Sequence, residues 1–245
     1  MQLVFDPSLA EGYTSRCQKA RRLSEGWIAA HMFCPCCGNP RLSHLADNKP
    51  VADFRCPVCR SVFELKSKNG PIGRKVPGGA YATMLARIAE NTAPDFFFLS
   101  YSRNPSAVRD FFIIPKQFVT PGIIEKRRPL AGTARRAGWV GCNIMLSAIP
   151  EQGRIFVVRD GVPQDRNAVI GMLGRARGLE NGGLSTRGWT LDVLRCVNAV
   201  ISAEFSLARM YAFEGELKAR HPDNRNIRAK IRQQLQLLRG AGDIS

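Results

Sequence analysis

The chain lacks any stretch that would carry it into or across a membrane. Its start, MQLVFDPSLAEGY, has no basic region followed by an apolar run, and no later segment is long and apolar enough to span a bilayer. The expectation is a cytoplasmic protein with no membrane partner. Fingerprints of common nucleotide and cofactor chemistry are missing too: there is no G-x4-G-K-[ST] phosphate loop, and no Ser/His or Cys/His pairing stands out as nucleophile and base. Acidic residues are scarce, since 20 Asp and Glu against 36 Lys and Arg leave a formal charge of +16. That imbalance favours a polyanionic partner, phosphate backbones among them. What is present suffices for a core: 245 residues, 44% of them hydrophobic, fit one domain of fair size plus a small one.

With no leader, the cysteines are expected in a reducing compartment, where CxxC pairs bind metal instead of forming disulfides. Cys34-x2-Cys37 and Cys56-x2-Cys59 flank residues 38–55, a spacing that reads as a structural zinc site. Four thiolates make a closed tetrahedral site with no position left for chemistry. The CPCC run also offers Cys36, which the two-residue spacing leaves out. His44 is a substitute ligand or, more simply, a loop histidine.

Residues 61–66, SVFELK, read as a strand, so Glu64 and Lys66, two apart, share a face. Asp53, on the preceding strand and joined to it through the second CxxC, can complete the cluster. Two carboxylates suit Mg²⁺, which keeps several waters and takes further ligands from a phosphate. A lysine beside such an ion can orient or deprotonate water. The plain alternative is a charged face on an edge strand.

Asp53, preceded by Pro50-Val51-Ala52 and followed by Glu64-x-Lys66, resembles the PD-(D/E)XK nuclease motif. Interleaved with the CxxC pairs, and joined by TARRAGW at 133–139 and IRQQLQ at 231–236, it is similar to the DpnI-type methyl-directed restriction endonucleases along nearly the whole chain. The resemblance implies an α/β (α+β) PD-(D/E)XK core with a zinc-knuckle insertion over residues 1–182. Over residues 183–245 it implies a small helical, winged-helix-like DNA-binding domain. The implied activity is Mg²⁺-dependent, type II hydrolysis of phosphodiester bonds in double-stranded DNA at GATC carrying N6-methyladenine. Asp53 and Glu64 would hold Mg²⁺, Lys66 would serve the attacking water, and Cys34, Cys37, Cys56 and Cys59 would hold structural Zn²⁺. No obligate protein partner is implied. Two rivals stand beside this reading: a zinc-containing DNA-binding regulator with an inert acidic cluster, and a repair nickase or junction resolvase on the same nuclease fold.

Local signals predict the remaining elements. Asp6 caps a helix with Pro7 at its first position and Leu9, Tyr13, Cys17 and Ala20 as its apolar stripe, with Cys17 in the core. Ser24 caps a second short helix that buries Trp27. Residues 68–80 read as a mobile basic loop, followed by a helix whose stripe is Tyr81, Met84, Leu85, Ile88 and Ala89. Strands follow at 95–101 and 110–114, with Asn104-Pro105 in the turn between, and at 155–160, ending in an Asp160-Gly161 turn. A helix over 167–177 leads into a linker at 177–188, with the domain boundary near Asn181 to Ser185.

Two stretches carry candidate DNA contacts. In the glycine-flanked loop 129–142, Trp139 can stack on a base or wall a methyl pocket, or it can plug the edge of the core. The resemblance assigns Trp139 to methylated adenine, and Arg135 and Arg136 can meet phosphates or guanine. Beyond the boundary, Thr190 caps a helix with Leu191, Leu194, Val197 and Ile201 as its stripe. Ser206 caps the next, which His221-Pro222 stops. Asn226 starts a third, which buries Ile227, Ile231, Leu235 and Leu238 and ends at Gly240. Arg225, Arg228, Lys230, Arg232 and Gln233 suit a recognition helix or a solvated face. The chain stops at Gly-Asp-Ile-Ser, where DpnI-type proteins continue into a basic hairpin wing, so the wing is expected to be truncated.

Overall fold

The computed structural model describes residues 1–45, 52–103, 106–178, 184–200, 204–242 and 244. In chain order its elements are α1 (Arg16–His31), β1 (Ser43–His44), β2 (Phe54–Arg55), β3 (Val62–Asn69), β4 (Val76–Ala80), α2 (Tyr81–Ala89), β5 (Asp95–Arg103) and β6 (Ser106–Ile114). They continue with β7 (Ile124–Lys126), β8 (Gly141–Ile144), β9 (Ile155–Arg159), β10 (Val162–Pro163) and α3 (Arg166–Gly178). The last four are α4 (Leu184–Ala199), α5 (Leu207–Tyr211), α6 (Glu214–Arg220) and α7 (Ile227–Ala241).

The DFFFLSY run is buried from Asp95 to Tyr101, as befits a strand covered on both faces. It is the middle of a seven-stranded sheet in the order β1-β2-β3-β5-β6-β9-β10. The β3–β5 pair is parallel, whereas the other pairs of this sheet are antiparallel. A parallel neighbour needs a crossover, and residues 70–94 supply it, carrying β4 and α2. Strand β4 leaves the main sheet to form a second, three-stranded one in the order β4-β8-β7.

Paired residues on neighbouring strands put their side chains on the same face. One face stacks Phe63 on Phe97 with centroids 4.5 Å apart, sets Phe97 against Phe111 at 5.2 Å, and meets Trp27 of α1 at 5.6 Å from Phe111. The other face holds a row read straight from the register: Lys66 opposite Phe98, Phe98 opposite Phe112, Phe112 opposite Phe156. Glu64, opposite Phe96, lies on that second face as well. The sheet thus has a helix-covered apolar side and a side with charge at one end.

Several local expectations yield to tertiary structure. Asp6 does cap, accepting from the Ser8 N–H at 3.0 Å, but the turn it starts runs only from Pro7 to Ala10. Gly12, at φ 77°, redirects the chain before α1 begins at Arg16, and Cys17 is exposed rather than in the core. Ser24 lies inside α1, where its hydroxyl donates to the Ala20 carbonyl at 2.8 Å; Trp27 is buried as expected. His44 belongs to β1 rather than to a loop. Within the segment read as a loop, Val76–Ala80 is a strand paired with β8. A side chain at Gly78 would place its Cβ 2.6 Å from Cys142 Sγ, so the missing side chain is what permits the pairing. Cys142 is buried.

The helix at 167–177 is present as α3, and Asp160 and Gly161 make a turn at φ 49° and 76°. The polar residues at 184–188 are helix rather than linker. Thr190 is therefore interior to α4, with its hydroxyl 3.0 Å from the Thr186 carbonyl and 2.5 Å from Gln234 Oε1. Ser206 caps α5, accepting from the Arg209 N–H at 3.3 Å, yet the segment up to His221 breaks into α5 and α6. Helix α7 runs past Gly240 to Ala241, and Gly242 takes the left-handed C-cap. The residues Pro50-Val51, the Asn104-Pro105 turn, Ile201 and the stretch 179–183 that contains the expected boundary lie outside the described residues. Among the described residues, no helix is long and apolar enough to cross a membrane.

Candidate active site and zinc cluster

Two knuckles of the same build bring the cysteines together. In the first, the Cys34 N–H donates to the Asn39 carbonyl at 2.7 Å and the Gly38 N–H to the Cys34 carbonyl at 2.8 Å. In the second, the Cys56 N–H donates to the Ser61 carbonyl at 2.9 Å and the Arg60 N–H to the Cys56 carbonyl at 3.1 Å. Gly38 (φ 74°) and Arg60 (φ 63°) make the same left-handed turn. The four Sγ atoms of Cys34, Cys37, Cys56 and Cys59 lie within 4.8 Å of one another. Cys34–Cys59 and Cys37–Cys56 are 3.5 and 3.6 Å apart. A tetrahedral zinc with ~2.3 Å bonds sets sulfurs about 3.8 Å apart, so the cluster fits that ion and could hold it. Cys36 points elsewhere, 4.0 Å from Asp95 Oδ2. His44 is engaged with Glu25 at 3.3 Å and stands edge-on to Phe54.

Thiols this close differ in acidity. Burial pushes the Cys37 thiol up to about 12. Burial also opposes ionisation of Cys59, but hydrogen bonds from the Ser61 hydroxyl and backbone, and from Cys34 and Cys37, bring that thiol down to about 6.

The second knuckle is the connection between β2 and β3. Phe54 pairs with Phe63, which sets Asp53 across from Glu64. The Asp53 carboxylate accepts from the Leu65 N–H at 2.7 Å, so it sits against the backbone between Glu64 and Lys66. Lys66 Nζ is 2.5 Å from Glu64 Oε1. The structure thus brings Asp53, Glu64 and Lys66 to one place at the edge of the charged face. All three are half-buried, shielded by protein yet within reach of solvent.

Sequence reasoning missed Arg87. It stands on α2 and lines, with Glu64, Gly79, Ala80 and Met84, a cavity of about 200 Å³. Burial holds its guanidinium below the ordinary range, Glu64 is the largest opposing influence, and its Nη1 is buried with no hydrogen-bond partner. Nothing local marks it, since a charged residue beside an apolar stripe is ordinary on a helix. Asp95 heads β5. It is buried, accepts from the Lys116 N–H at 2.8 Å and pairs with Arg177 of α3 at 3.2 Å. Arg177 also donates to Ser61 Oγ at 3.2 Å, and Ser61 Oγ is 3.2 Å from Cys59 Sγ, so α3 is tied to the cysteine cluster.

Trp139 lies in the β7–β8 connection, a loop folded on itself by bonds of 3.0 Å from Leu130 N–H to the Trp139 carbonyl and from Gly138 N–H to the Leu130 carbonyl. Its ring rests on Gly141, where a Cβ would approach within 2.7 Å, and the Arg136 guanidinium lies 4.9 Å above it. The ring is half-exposed and Arg135 is exposed. Because Ala80 pairs with Gly141, this loop springs from the same small sheet whose Gly79 and Ala80 wall the Glu64 cavity.

On α7, Ile227, Ile231, Gln234 and Leu238 are buried against the other helices, leaving Arg228, Arg232 and Gln233 outside, with Arg225 exposed just before the helix. Those on α7 already have partners within the helical unit. Arg228 Nε meets Glu214 at 2.7 Å, Arg232 donates to the Tyr211 hydroxyl at 3.0 Å, and Lys230 donates to Gln233 at 2.9 Å.

Two family models match the chain. One, described as DpnI, Dam-replacing family, covers residues 1–182. The other, described as the Dam-replacing HTH domain, covers residues 185–245.

Proposed function

This chain belongs to the DpnI, Dam-replacing, family, and on that premise we propose that it is a methyl-directed, type II restriction endonuclease. It would hydrolyse double-stranded DNA at GATC sites containing N6-methyladenine, with Mg²⁺. The observation that carries the reading is the meeting of Asp53, Glu64 and Lys66 on a hairpin whose turn bears two of the four clustered cysteines. We assign residues 1–182 to a PD-(D/E)XK catalytic domain and residues 183–245 to a DNA-binding domain.

Asp53 and Glu64 are the ligands offered to Mg²⁺, a hard ion that suits carboxylate oxygens. When bound, such an ion polarises the phosphate and acidifies a water. The protein's own groups do the rest. The Leu65 N–H fixes one oxygen of Asp53 and leaves the other for ligation. Lys66, held by Glu64 before DNA arrives, is placed to orient the attacking water and, after losing its own proton to solvent, to take the water's. That oxygen bonds to phosphorus, one P–O ester bond breaks, and the departing alkoxide collects a proton from solvent. The cysteine cluster, with zinc, braces the hairpin.

Trp139 is the reader proposed in the catalytic domain: an aromatic face in a basic loop beside the site can pack against the adenine methyl group. Arg135 and Arg136 flank it for phosphate or guanine. Arg225, Arg228, Arg232 and Gln233 form the second reader, on and before α7. Single methyl groups discriminate weakly, by about 1–3 kcal/mol in an apolar pocket, so two readers would sharpen the choice.

The deciding experiment digests one plasmid prepared with and without adenine methylation at GATC, each with Mg²⁺ and with chelator. Fragments from the methylated plasmid with Mg²⁺ alone are expected. Cutting of both plasmids would remove the methyl reader. Binding without cutting under every condition would replace the nuclease with a DNA-binding regulator.

A further inference from the structure

The sheet face that holds Glu64 and Lys66 does not end there. Along the row Lys66–Phe98–Phe112–Phe156, the last two rings form the floor of a separate cavity of about 570 Å³. Ile72 and Leu146 wall it, and Arg74, Arg154 and Arg159 line it. That volume lies in the range of small-molecule pockets, roughly 300–1,000 Å³, and is far larger than a lone phosphate needs.

Its chemistry is mixed in a particular way. Arg154 donates through Nη2 to the Leu146 carbonyl, while its Nε is buried with no hydrogen-bond partner. The Arg159 guanidinium lies 4.9 Å above the Phe156 ring, a flat cation on an aromatic face. Asp110 and Asp160 bring acceptors to the cavity lining, and Asp110 is oriented by the Ser100 hydroxyl at 3.0 Å and the Asp160 N–H at 2.9 Å. Arg109, 3.9 Å from each carboxylate, offsets part of their charge. Cations, a planar stacking surface and an oriented acceptor are what a nucleotide needs: contacts for phosphate, for the face of a base, and for its amino edge.

We infer that this cavity is a nucleotide subsite, which receives one nucleoside phosphate unit of the DNA strand beyond the cleaved step. The phosphate would lie at Arg74 and Arg154, and the base against the Arg159–Phe156 stack. The position rests on the nuclease reading for the path of the DNA. Lys66 and Phe156 are separated by three strand spacings, roughly 14 Å at ~4.8 Å each, or about four nucleotide rises of 3.4 Å. The subsite therefore grips flanking DNA through phosphate and stacking, with its acceptors favouring bases that carry an amino group over thymine, and adds affinity without changing the choice of target.

The test is a binding measurement, with Ca²⁺ in place of Mg²⁺. Labelled duplexes carry one methylated GATC and either short flanks, ending before about four nucleotide rises from the centre, or long flanks that pass the cavity. With an abasic site placed opposite the nucleotide that reaches the cavity, so that its base enters unpaired, the wild-type protein should bind the long duplex about tenfold more tightly, as one stacked base would give. The Arg74→Ala, Arg159→Ala double variant, which alters two exposed side chains, should bind both alike and match wild type on the short one. A double variant that keeps the full gain from long flanks overturns the inference. Calorimetry with dAMP separates the other source of the same chemistry. Binding of dAMP by wild type but not the double variant, with no flank effect, makes a free nucleotide the ligand and overturns the flank role; no binding of either kind overturns the subsite. Arg154→Met, checked for folding by its thermal transition, should repeat the double variant's behaviour. Since this binding test reads no cleavage, a flank gain that wild type shows and the double variant loses would retain the subsite even if the plasmid digestion showed no cutting, and cutting of the plasmid without a wild-type flank gain would discard the subsite alone.

Discussion

The β2–β3 hairpin and the last helix are both charged and both face solvent, yet they are built in opposite ways. On the hairpin, backbone pairing does the positioning: Asp53 is fixed by the Leu65 N–H, and Glu64 and Lys66 follow from the two-residue repeat of a strand. On α7 the charged side chains are long, exposed and engaged with one another's neighbours, Arg228 with Glu214 and Arg232 with Tyr211. On the proposed reading, the hairpin is prepared for chemistry before DNA arrives. The helix has contacts to exchange when it arrives. Catalysis needs the first arrangement, because misplacement by an ångström is costly, and a searching DNA reader tolerates the second.

The harshest way to break this contrast is at the cysteines. Cys56→Ala should lower the zinc content of the purified protein and abolish cleavage, because a structural metal can supply on the order of 10 kcal/mol of folding energy. Circular dichroism of the helical signal should fall far less; equal loss of both would mean that the two regions fold as one. Lys66→Ala leaves the brace intact and should slow cleavage by about 10²–10⁴-fold, the usual reach of a positioned acid or base. DNA affinity measured in Ca²⁺ should stay near wild type, and a matching loss of affinity would make Lys66 a binding residue.

Trp139→Ala should reduce the ratio of methylated to unmethylated cleavage by about 5–150-fold, the equivalent of ~1–3 kcal/mol, with little change in melting temperature. Arg232→Ala should flatten the slope of log affinity against log salt by about one phosphate contact, leaving the rate at saturating DNA unchanged. An effect on that rate would show that the helix acts on the chemistry after all. The smallest change concerns Asp95. Burial holds its carboxyl above the ordinary range, against the Lys116 N–H and Arg177. A raised folded-state value means that the folded protein binds the proton more tightly. The stabilisation this gives is complete below the unfolded value near 3.9 and is lost as pH rises through the folded one. Asp95→Asn should flatten that part of the melting-temperature profile.

The hairpin was legible in the sequence because its geometry is local: CxxC fixes a knuckle, and two residues along a strand return to the same face. The phenylalanine strands and α2 were legible for the same reason. What was lost lay at long range. Thr190 looks like a cap because polar residues and glycines precede it, but Arg187 and Trp189 are buried, and that burial makes the segment helix. Val76–Ala80 holds a proline and two glycines and reads as loop; only the approach of Cys142 explains a strand there. Arg87 and Asp95 acquire meaning from partners on elements far away in sequence, Glu64 for one and Arg177 for the other.

The single parallel pairing described for the main sheet also sets an order of assembly. The β2–β3 and β5–β6 hairpins close over short connections, whereas β3 can join β5 only after residues 70–94 have looped over and docked. Long closures are slow, and this one also delivers Gly79, Met84 and Arg87 to the wall beside Glu64. During refolding, compaction should therefore precede competence, and a newly made chain would pass through a harmless, condensed stage before it could cut.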